Sequence, residues 1–206
     1  MGGWSMRPLA RALGRHGYDP QVVSYSSFFT SAERLATEWL PRRLVALGLD
    51  GGRQMDVVTH SMGGIILRAW VRAHLPAHLG RIVMIAPPNA GSAVADHMQR
   101  AAWFRRLFGE VGRELGTGPA SLARGLGPWP AAAGELGILA GDRSINPLFA
   151  HWLGEAGDGA VSLRSVPLEG MSAFRVLHHS HTALLWRRET IEETIEFLGH
   201  GRFKGA

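Results

Sequence analysis

The most constraining feature of the sequence is a short apolar strand that runs almost directly into a helix, within residues 55–70 (MDVVTHSMGGIILRAW). Val57 and Val58 are typical of a buried strand, and residues 63–72 carry apolar side chains at helical spacing. Only residues 60–62 separate the two elements. A strand that turns so sharply into a helix predicts one unit of an α/β fold.

Strand-like and helix-like segments alternate along most of the chain. Strands are predicted at residues 22–25, 55–59, 81–86, 136–141 and 174–179. Helices are predicted at residues 5–17, 30–48, 63–72 and 187–198. This alternation is typical of an α/β protein with a mostly parallel sheet and helices on both faces. A length of 206 residues suits one hydrophobic core, so we predict a single domain over residues 1–206.

Two of these helices carry finer signals. Thr30 and Glu33 have capping-box spacing at the start of the second helix, Gly48 is its stop, and Pro41 is expected to kink or offset it. In the last helix, four residues are expected to face the core: Ile191, Thr194, Ile195 and Leu198.

Residues 93–130 break the alternation of strands and helices. They combine an aromatic and basic helix candidate (AAWFRRLF, residues 101–108) with turns rich in glycine and proline. Because sheet strands resume after this stretch, it is predicted to be an inserted helical cap rather than a second domain.

The net charge of +5 raises the question of nucleic-acid binding. The arginines are spread over several predicted helices, without a run of basic residues and without interleaved aromatic side chains. A solvated surface accounts for such a distribution, so no nucleic-acid partner is expected.

Neither a membrane segment nor a disulfide framework is predicted. The longest apolar runs, such as residues 64–67, are far too short to span a bilayer, and the chain does not open with a signal-peptide pattern. If Met1 is the true start, these features predict a cytoplasmic protein. The sequence contains no cysteine, which excludes a thiolate nucleophile and a cysteine-based zinc site.

Ser61 is the candidate nucleophile, because it lies at the junction of the strand and the helix. A sharp turn of this kind strains the serine backbone, exposes its hydroxyl and requires small neighbours two residues away. Gly63 meets that requirement, whereas Thr59 occupies the position where glycine is usual. The helix N-terminus would direct its dipole and the backbone N–H of Met62 at a developing oxyanion.

A base and an acid should follow the nucleophile along the chain in this type of fold. Three histidines follow the last predicted strand; we favour His181, which lies furthest into the loop, with His179 as its competitor and His178 as the strand end. For the acid we favour Asp158, which begins a tight turn, over Asp142, which could be a turn residue or part of an ion pair.

Other chemistries are less well supported by the sequence. The three histidines have no carboxylate at metal-ligand spacing beside them, so no metal is expected. No glycine-rich phosphate-binding motif follows any predicted strand, which argues against a nucleotide-binding protein. No cofactor is therefore predicted.

Eight stretches together resemble α/β-hydrolases of the bacterial lipase and esterase type, and are similar to small lipase-like proteins related to GPI inositol-deacylases. They are SMRPLARAL, VTHSMGGI, APPNAGS, LGTGP, AGDRSINPLF, GDGAVSLRS, LEGM and SHT. The resemblance implies an α/β-hydrolase fold and hydrolysis of carboxylic esters. It also implies Ser61 as nucleophile, Asp158 as acid and His181 as base.

The resemblance further implies a small-molecule ester or lipid as substrate, with its acyl chain near the insertion. Trp103 and Phe104, with Leu107 and Phe108, could line that cap, although a core-facing stripe would have the same spacing. His60, directly before the serine, is a further candidate for substrate contact.

One departure from the family pattern concerns the beginning of the chain. Such proteins begin the catalytic unit with a buried strand and a His-Gly turn, which supplies a second oxyanion donor. Here the chain opens MGGWSMRPLA, which already leads into the following helix, so that strand is missing. Its place in the sheet would be between the strands predicted at residues 22–25 and 55–59. Because every later element is present, we favour a start that has been placed too far downstream. The alternative is a truncated chain with impaired folding, which would be a catalytically impaired or non-catalytic hydrolase-like protein. Losing one oxyanion donor typically costs about 10²–10³ in turnover.

Overall fold

The computed structural model describes residues 3–26, 30–119 and 121–204. Four strands form its parallel sheet, in the order β1-β2-β3-β4. They are β1 (Met55–His60), β2 (Leu79–Ile85), β3 (Leu136–Gly141) and β4 (Ala173–Leu177). The predicted strands at residues 55–59, 81–86, 136–141 and 174–179 all correspond to these strands, with ends that differ by one or two residues.

The α-helices are α1 (Arg7–Arg15), α2 (Ala32–Arg34), α3 (Leu40–Ala46), α4 (Met62–His74), α5 (Ala93–Met98), α6 (Ala102–Glu114), α7 (Leu122–Gly125), α8 (Pro147–Leu153) and α9 (Arg188–His200). Short 3₁₀ segments occur at Gly3–Met6, Ala131–Ala133 and Ala183–Leu185, and a π-helical turn at Leu35–Trp39. None of the helices in the described ranges has the length and apolar character needed to cross a bilayer.

The two faces of the sheet are covered by different helices. On β2, Ile82 and Met84 join the core shared with α4, whereas Val83 and Ile85 join the core shared with α1 and α9. This alternation follows from the strand geometry, which points successive side chains to opposite faces. On β3, Gly137 lets the ring of Phe197 approach the backbone, since a Cβ atom there would lie 2.7 Å from two ring carbons.

The predicted strand at residues 22–25 is wrong. Residues 21–26 belong to no strand, and β1 is an edge strand of the sheet in the described part of the chain. An extended segment becomes a strand only when a neighbouring strand pairs with its backbone groups. The same edge position explains why most of β1 is only partly buried, whereas β3 is buried throughout.

The helix predicted over residues 30–48 forms as α2, the π-turn and α3. Its N-cap is Ser31 rather than Thr30, because the Ser31 hydroxyl accepts a hydrogen bond from the N–H of Arg34 at 3.0 Å. The wide turn precedes Pro41, with the N–H of Leu40 donating to the carbonyl of Leu35. Proline has no N–H to donate, so the offset predicted from Pro41 takes the form of a π-turn.

The residues of α9 that are buried in the core differ in part from those that the spacing of its apolar residues predicts. Thr194 and Leu198 are buried, but Ile191 and Ile195 are only partly buried. Phe197 is fully buried instead, because its ring fills the space above Gly137.

The inserted stretch between β2 and β3 is largely helical, as its sequence indicates. It contains α5, α6 and α7, of which α5 packs against α6 and α8, and α6 packs against α2. Behind it, the buried guanidinium of Arg68 on α4 donates hydrogen bonds to the carbonyl oxygens of Asn89 and Gly127. This contact ties both ends of the insertion to the same helix.

Candidate active site

Ser61 occupies a strained turn between β1 and α4. Its backbone angles are φ 53° and ψ −126°, and a positive φ is uncommon for a residue with a Cβ atom. Its N–H donates to the carbonyl of Ile85 at 2.9 Å, which continues the ladder between β1 and β2 to the end of the strand. The turn therefore holds Ser61 at the carboxyl edge of the sheet, where parallel strands direct their loops.

Of the two glycines that follow Ser61, Gly64 rather than Gly63 lies in close contact with another part of the chain. A Cβ atom at Gly64 would lie 2.9 Å from the Cβ of Pro87, closer than ordinary packing allows. At Gly63 it would lie 3.5 Å from the Cβ of Thr59, an ordinary contact. Thr59 therefore fits where a glycine is usual. The need for a glycine at position 64 was not predicted from the sequence, although the pair Gly63-Gly64 was a signal for it.

Met62 is the first residue of α4. The first N–H groups of a helix have no partner within the helix, and the helix dipole places partial positive charge there. The backbone N–H of Met62 is thus a donor at the end of the helix that follows the serine.

A buried carboxylate pairs with His181. Oδ2 of Asp158 lies 2.7 Å from Nδ1 of His181, and the two side chains are 0% and 12% exposed. Oδ1 accepts hydrogen bonds from the N–H groups of Ala160 and Val161 at 2.9 and 2.8 Å. A carboxylate only accepts hydrogen bonds, so in the neutral imidazole Nδ1 carries the proton and Nε2 keeps its lone pair. This is the tautomer that a general base requires.

The loop that carries Asp158 is held by the turn that follows β2. The Ser92 hydroxyl donates to the carbonyl of Ala160 at 2.7 Å, and the N–H of Ala90 donates to the carbonyl of Ser165 at 3.0 Å. Two stretches quoted from the sequence, APPNAGS and GDGAVSLRS, therefore meet in space. Their contacts fix the position of the carboxylate.

The two other histidines pair with other carboxylates. Nδ1 of His178 lies 2.9 Å from Oδ1 of Asp142 in a pair whose histidine is 75% exposed. Nε2 of His179 lies 3.1 Å from Oε2 of Glu189, at the first turn of α9. Among the alternatives left open by the sequence, only the pair of Asp158 and His181 is shielded from solvent.

His60 contacts His181 directly. Its Nε2 lies 3.1 Å from the carbonyl oxygen of His181, and the two ring centroids are 4.6 Å apart. Burial, with a smaller contribution from His181, lowers the pKa of His60 to about 3. The residue before Ser61 therefore touches the loop of the histidine, a contact that the sequence did not predict.

Trp103 and Phe104 lie in the first turn of α6. Their rings meet edge to face with centroids 5.7 Å apart, and Trp103 is 59% exposed. Trp103 therefore does not belong to a core-facing stripe. Leu107 is partly buried, and the side chain of Phe108 lies outside the described residues.

A family model described as a domain of unknown function, DUF7379, matches residues 6–126, more than half of the chain and including Ser61. The chain belongs to the DUF7379 family. Among proteins with curated descriptions, no sequence matches this member of the family.

Several solved structures resemble the DUF7379 chain at low sequence identity. Lipase BlEst2 from Bacillus licheniformis gives a TM-score of 0.77 in its propeptide form, at 17% identity over 96% of this chain and 48% of that chain. The metagenomic carboxyl esterase MGS0156 gives 0.68, at 19% identity over 85% and 58%. Phospholipase PlaB from Legionella pneumophila gives 0.65, at 21% identity over 86% and 49%.

These likenesses show the fold. The chain has the α/β-hydrolase fold of bacterial lipases and esterases, as its sequence predicts. It spans about half the length of the BlEst2 propeptide form and of PlaB, and 83% of the mature form of BlEst2.

Proposed function

We propose that this protein is a serine hydrolase that cleaves carboxylic esters through an acyl-enzyme intermediate on Ser61. One observation carries the proposal: the buried pair of Asp158 and His181 includes a histidine whose backbone carbonyl contacts the residue before a strained serine. Structural turns account for serine, aspartate or histidine singly, but not for this pairing beside a strained nucleophile turn.

In the proposed reaction His181 Nε2 accepts the proton of the Ser61 hydroxyl as Oγ attacks the ester carbonyl carbon. Asp158 holds the imidazole and stabilises its positive charge, while the N–H of Met62 donates to the oxyanion. The intermediate collapses, the C–O bond to the alcohol breaks, and the alcohol leaves with the proton from His181. Water, deprotonated by His181, then attacks the acyl-enzyme, and the acid and the free serine are released.

The proposed substrate class rests on the aromatic side chains of the inserted stretch and on the nature of the structural relatives. The exposed ring of Trp103 and its neighbour Phe104 favour an acyl chain beside α6. The relatives named above are a lipase, a carboxyl esterase and a phospholipase. A small ester or a lipid is therefore the proposed substrate, and no cofactor enters the reaction.

The test compares wild type with Ser61→Ala on p-nitrophenyl esters of increasing acyl length. We expect Ser61→Ala to lower kcat by at least about 10⁴-fold, because nucleophile and base act as a unit. Ser172→Ala is the matched control. The Ser172 hydroxyl donates to the carbonyl of Leu136, the first residue of β3, and so lies at the amino ends of the strands, away from Ser61.

A fluorophosphonate probe gives an independent reading of the same serine. Wild type should be labelled, with the adduct on the peptide that contains Ser61, and Ser61→Ala should stay unlabelled. A wild-type sample that unfolds cooperatively but is neither labelled nor active would instead favour a non-catalytic hydrolase-like protein. Equal esterase rates in wild type and Ser61→Ala would exclude the nucleophile assignment.

A further inference from the structure

The loop that carries His181 is held at its backbone from two sides. The N–H of His181 donates to the carbonyl of Asp158 at 3.0 Å, and its carbonyl lies 3.1 Å from Nε2 of His60. The first bond joins His181 to its own carboxylate partner. The second joins it to β1, the strand that ends at the nucleophile turn.

The bond between His60 and His181 has a defined direction. A carbonyl oxygen only accepts, so Nε2 of His60 must carry a hydrogen and donate it. His60 stays neutral over the pH range in which esterases are assayed, because burial lowers its pKa to about 3. A neutral ring beside His181 also avoids placing a second positive charge next to the imidazolium that forms in catalysis.

His60 joins the nucleophile turn to the loop that carries His181 by a direct hydrogen bond. His60 and Ser61 are consecutive, so the hydrogen bond to the His181 carbonyl starts one residue from the nucleophile. The distance from Ser61 Oγ to the imidazole depends on how β1 and the loop after β4 are held against each other. A misplacement of about 1 Å at a reacting group can cost about 10²-fold in rate.

We infer that His60 is a positioning residue that fixes the His181 loop to the nucleophile turn by donating a hydrogen bond from Nε2 to the His181 carbonyl. The inference rests on the proposed hydrolysis at Ser61. It differs from the substrate contact expected from the sequence, because the ring N–H is engaged by His181.

Two variants separate the hydrogen bond from the bulk of the ring. The side-chain amide nitrogen of glutamine lies as many bonds from Cα as Nε2 of histidine, so His60→Gln can keep the donor. His60→Phe keeps a ring but has no donor, and His60→Asn has an amide that is one bond too short. If His60→Phe does not fold, His60→Asn serves in its place.

We expect His60→Phe to lower kcat by about 10²-fold, with KM within about two-fold of wild type. His60→Gln should restore kcat to within about three-fold of wild type. The loss should be the same for short and long acyl chains, and the rate of fluorophosphonate labelling should fall in parallel. His178→Phe is the control, since His178 is exposed and pairs with Asp142.

Three outcomes would overturn the inference. The first is a kcat of His60→Phe equal to that of wild type. The second is equal damage in His60→Gln and His60→Phe, which would mean that the ring rather than its donor matters. The third is a change in KM that depends on acyl length, which would indicate substrate contact.

A measurement without substrate keeps this test separate from the proposed function. The Nδ1 proton of His181, bonded to Asp158, should give a low-field proton resonance in wild type and His60→Gln, and a shifted or broadened one in His60→Phe. If wild type has no esterase activity, the proposed function fails while this resonance still decides the role of His60. An unchanged resonance in His60→Phe would reject the positioning role.

Discussion

Replacing Asp158 by asparagine is the sharpest perturbation of the proposed site, because it exchanges one carboxylate oxygen for an NH₂ group. Oδ1 of Asp158 faces the N–H groups of Ala160 and Val161, and Oδ2 faces Nδ1 of His181. In the variant the amide oxygen has to stay opposite the two N–H groups, since an NH₂ group there would face two donors. The NH₂ group then faces His181.

That NH₂ group should reverse the tautomer of the imidazole. It donates a hydrogen, so Nδ1 of His181 must offer its lone pair and the ring proton moves to Nε2. Nε2 can then no longer accept the proton of Ser61. A wrong tautomer costs about 10⁴ in kcat, which corresponds to about 5.4 kcal/mol at about 1.36 kcal/mol per decade.

The assay is kcat on p-nitrophenyl butyrate, with the thermal unfolding midpoint as the measure of folding. Asp158→Asn should stay folded, because both backbone hydrogen bonds to the side chain remain. Asp142→Asn is the matched control: it changes an aspartate that also lies within hydrogen-bond distance of a histidine, at 2.9 Å, but in an exposed pair. Its kcat should stay within about two-fold of wild type. A folded Asp158→Asn enzyme that keeps more than about a tenth of wild-type kcat would refute this reasoning.

Two further predictions concern stability. Because the pKa of His60 falls from 6.5 to about 3 on folding, the unfolded chain binds the proton first as the pH falls. The contribution of His60 to the free energy of unfolding is therefore fully present above pH 6.5 and is lost as the pH falls from 6.5 to about 3. Between pH 7 and pH 5 the loss amounts to about 2 kcal/mol. Denaturant unfolding of wild type and His60→Gln at both pH values measures it, and identical pH dependence would contradict it. Gly137→Ala should cost about 1–3 kcal/mol, because its Cβ would lie 2.7 Å from the buried Phe197 ring. In the control, Gly199→Ala, the new Cβ atom meets open space in α9, so the free energy of unfolding should rise by about 0.5–1 kcal/mol. Equal unfolding midpoints for the two variants would disprove the crowding at Gly137.

Residues 22–25 and the helix after them differ in how far the local sequence determines their structure. Val22 to Tyr25 have the composition of a strand, yet residues 21–26 form none, since strand formation depends on a partner that the segment itself does not contain. Pro41, by contrast, acts on its own turn of the helix. Its effect could be predicted because the missing N–H concerns only residues a few positions away.

The three histidines after β4 likewise depend on partners that are distant in the sequence. His178, His179 and His181 lie within four residues, so local sequence hardly distinguishes them. Each meets a carboxylate from a different part of the chain, namely Asp142, Glu189 and Asp158. That Ser61, Asp158 and His181 act together in catalysis stays a prediction for the experiments above.

The sequence by itself was enough to predict an α/β fold with a mostly parallel sheet and the turn at Ser61, and its resemblance to lipases and esterases implied the α/β-hydrolase fold. Apolar alternation, helical spacing and the glycines after the serine are short-range properties, and they act between residues that are neighbours in the chain. Only the tertiary structure decided which histidine is shielded with a buried carboxylate, that Gly64 is the residue in close contact with Pro87, and that His60 touches His181. Those contacts join residues from separate elements, and their distances are set by how the sheet and its loops pack together.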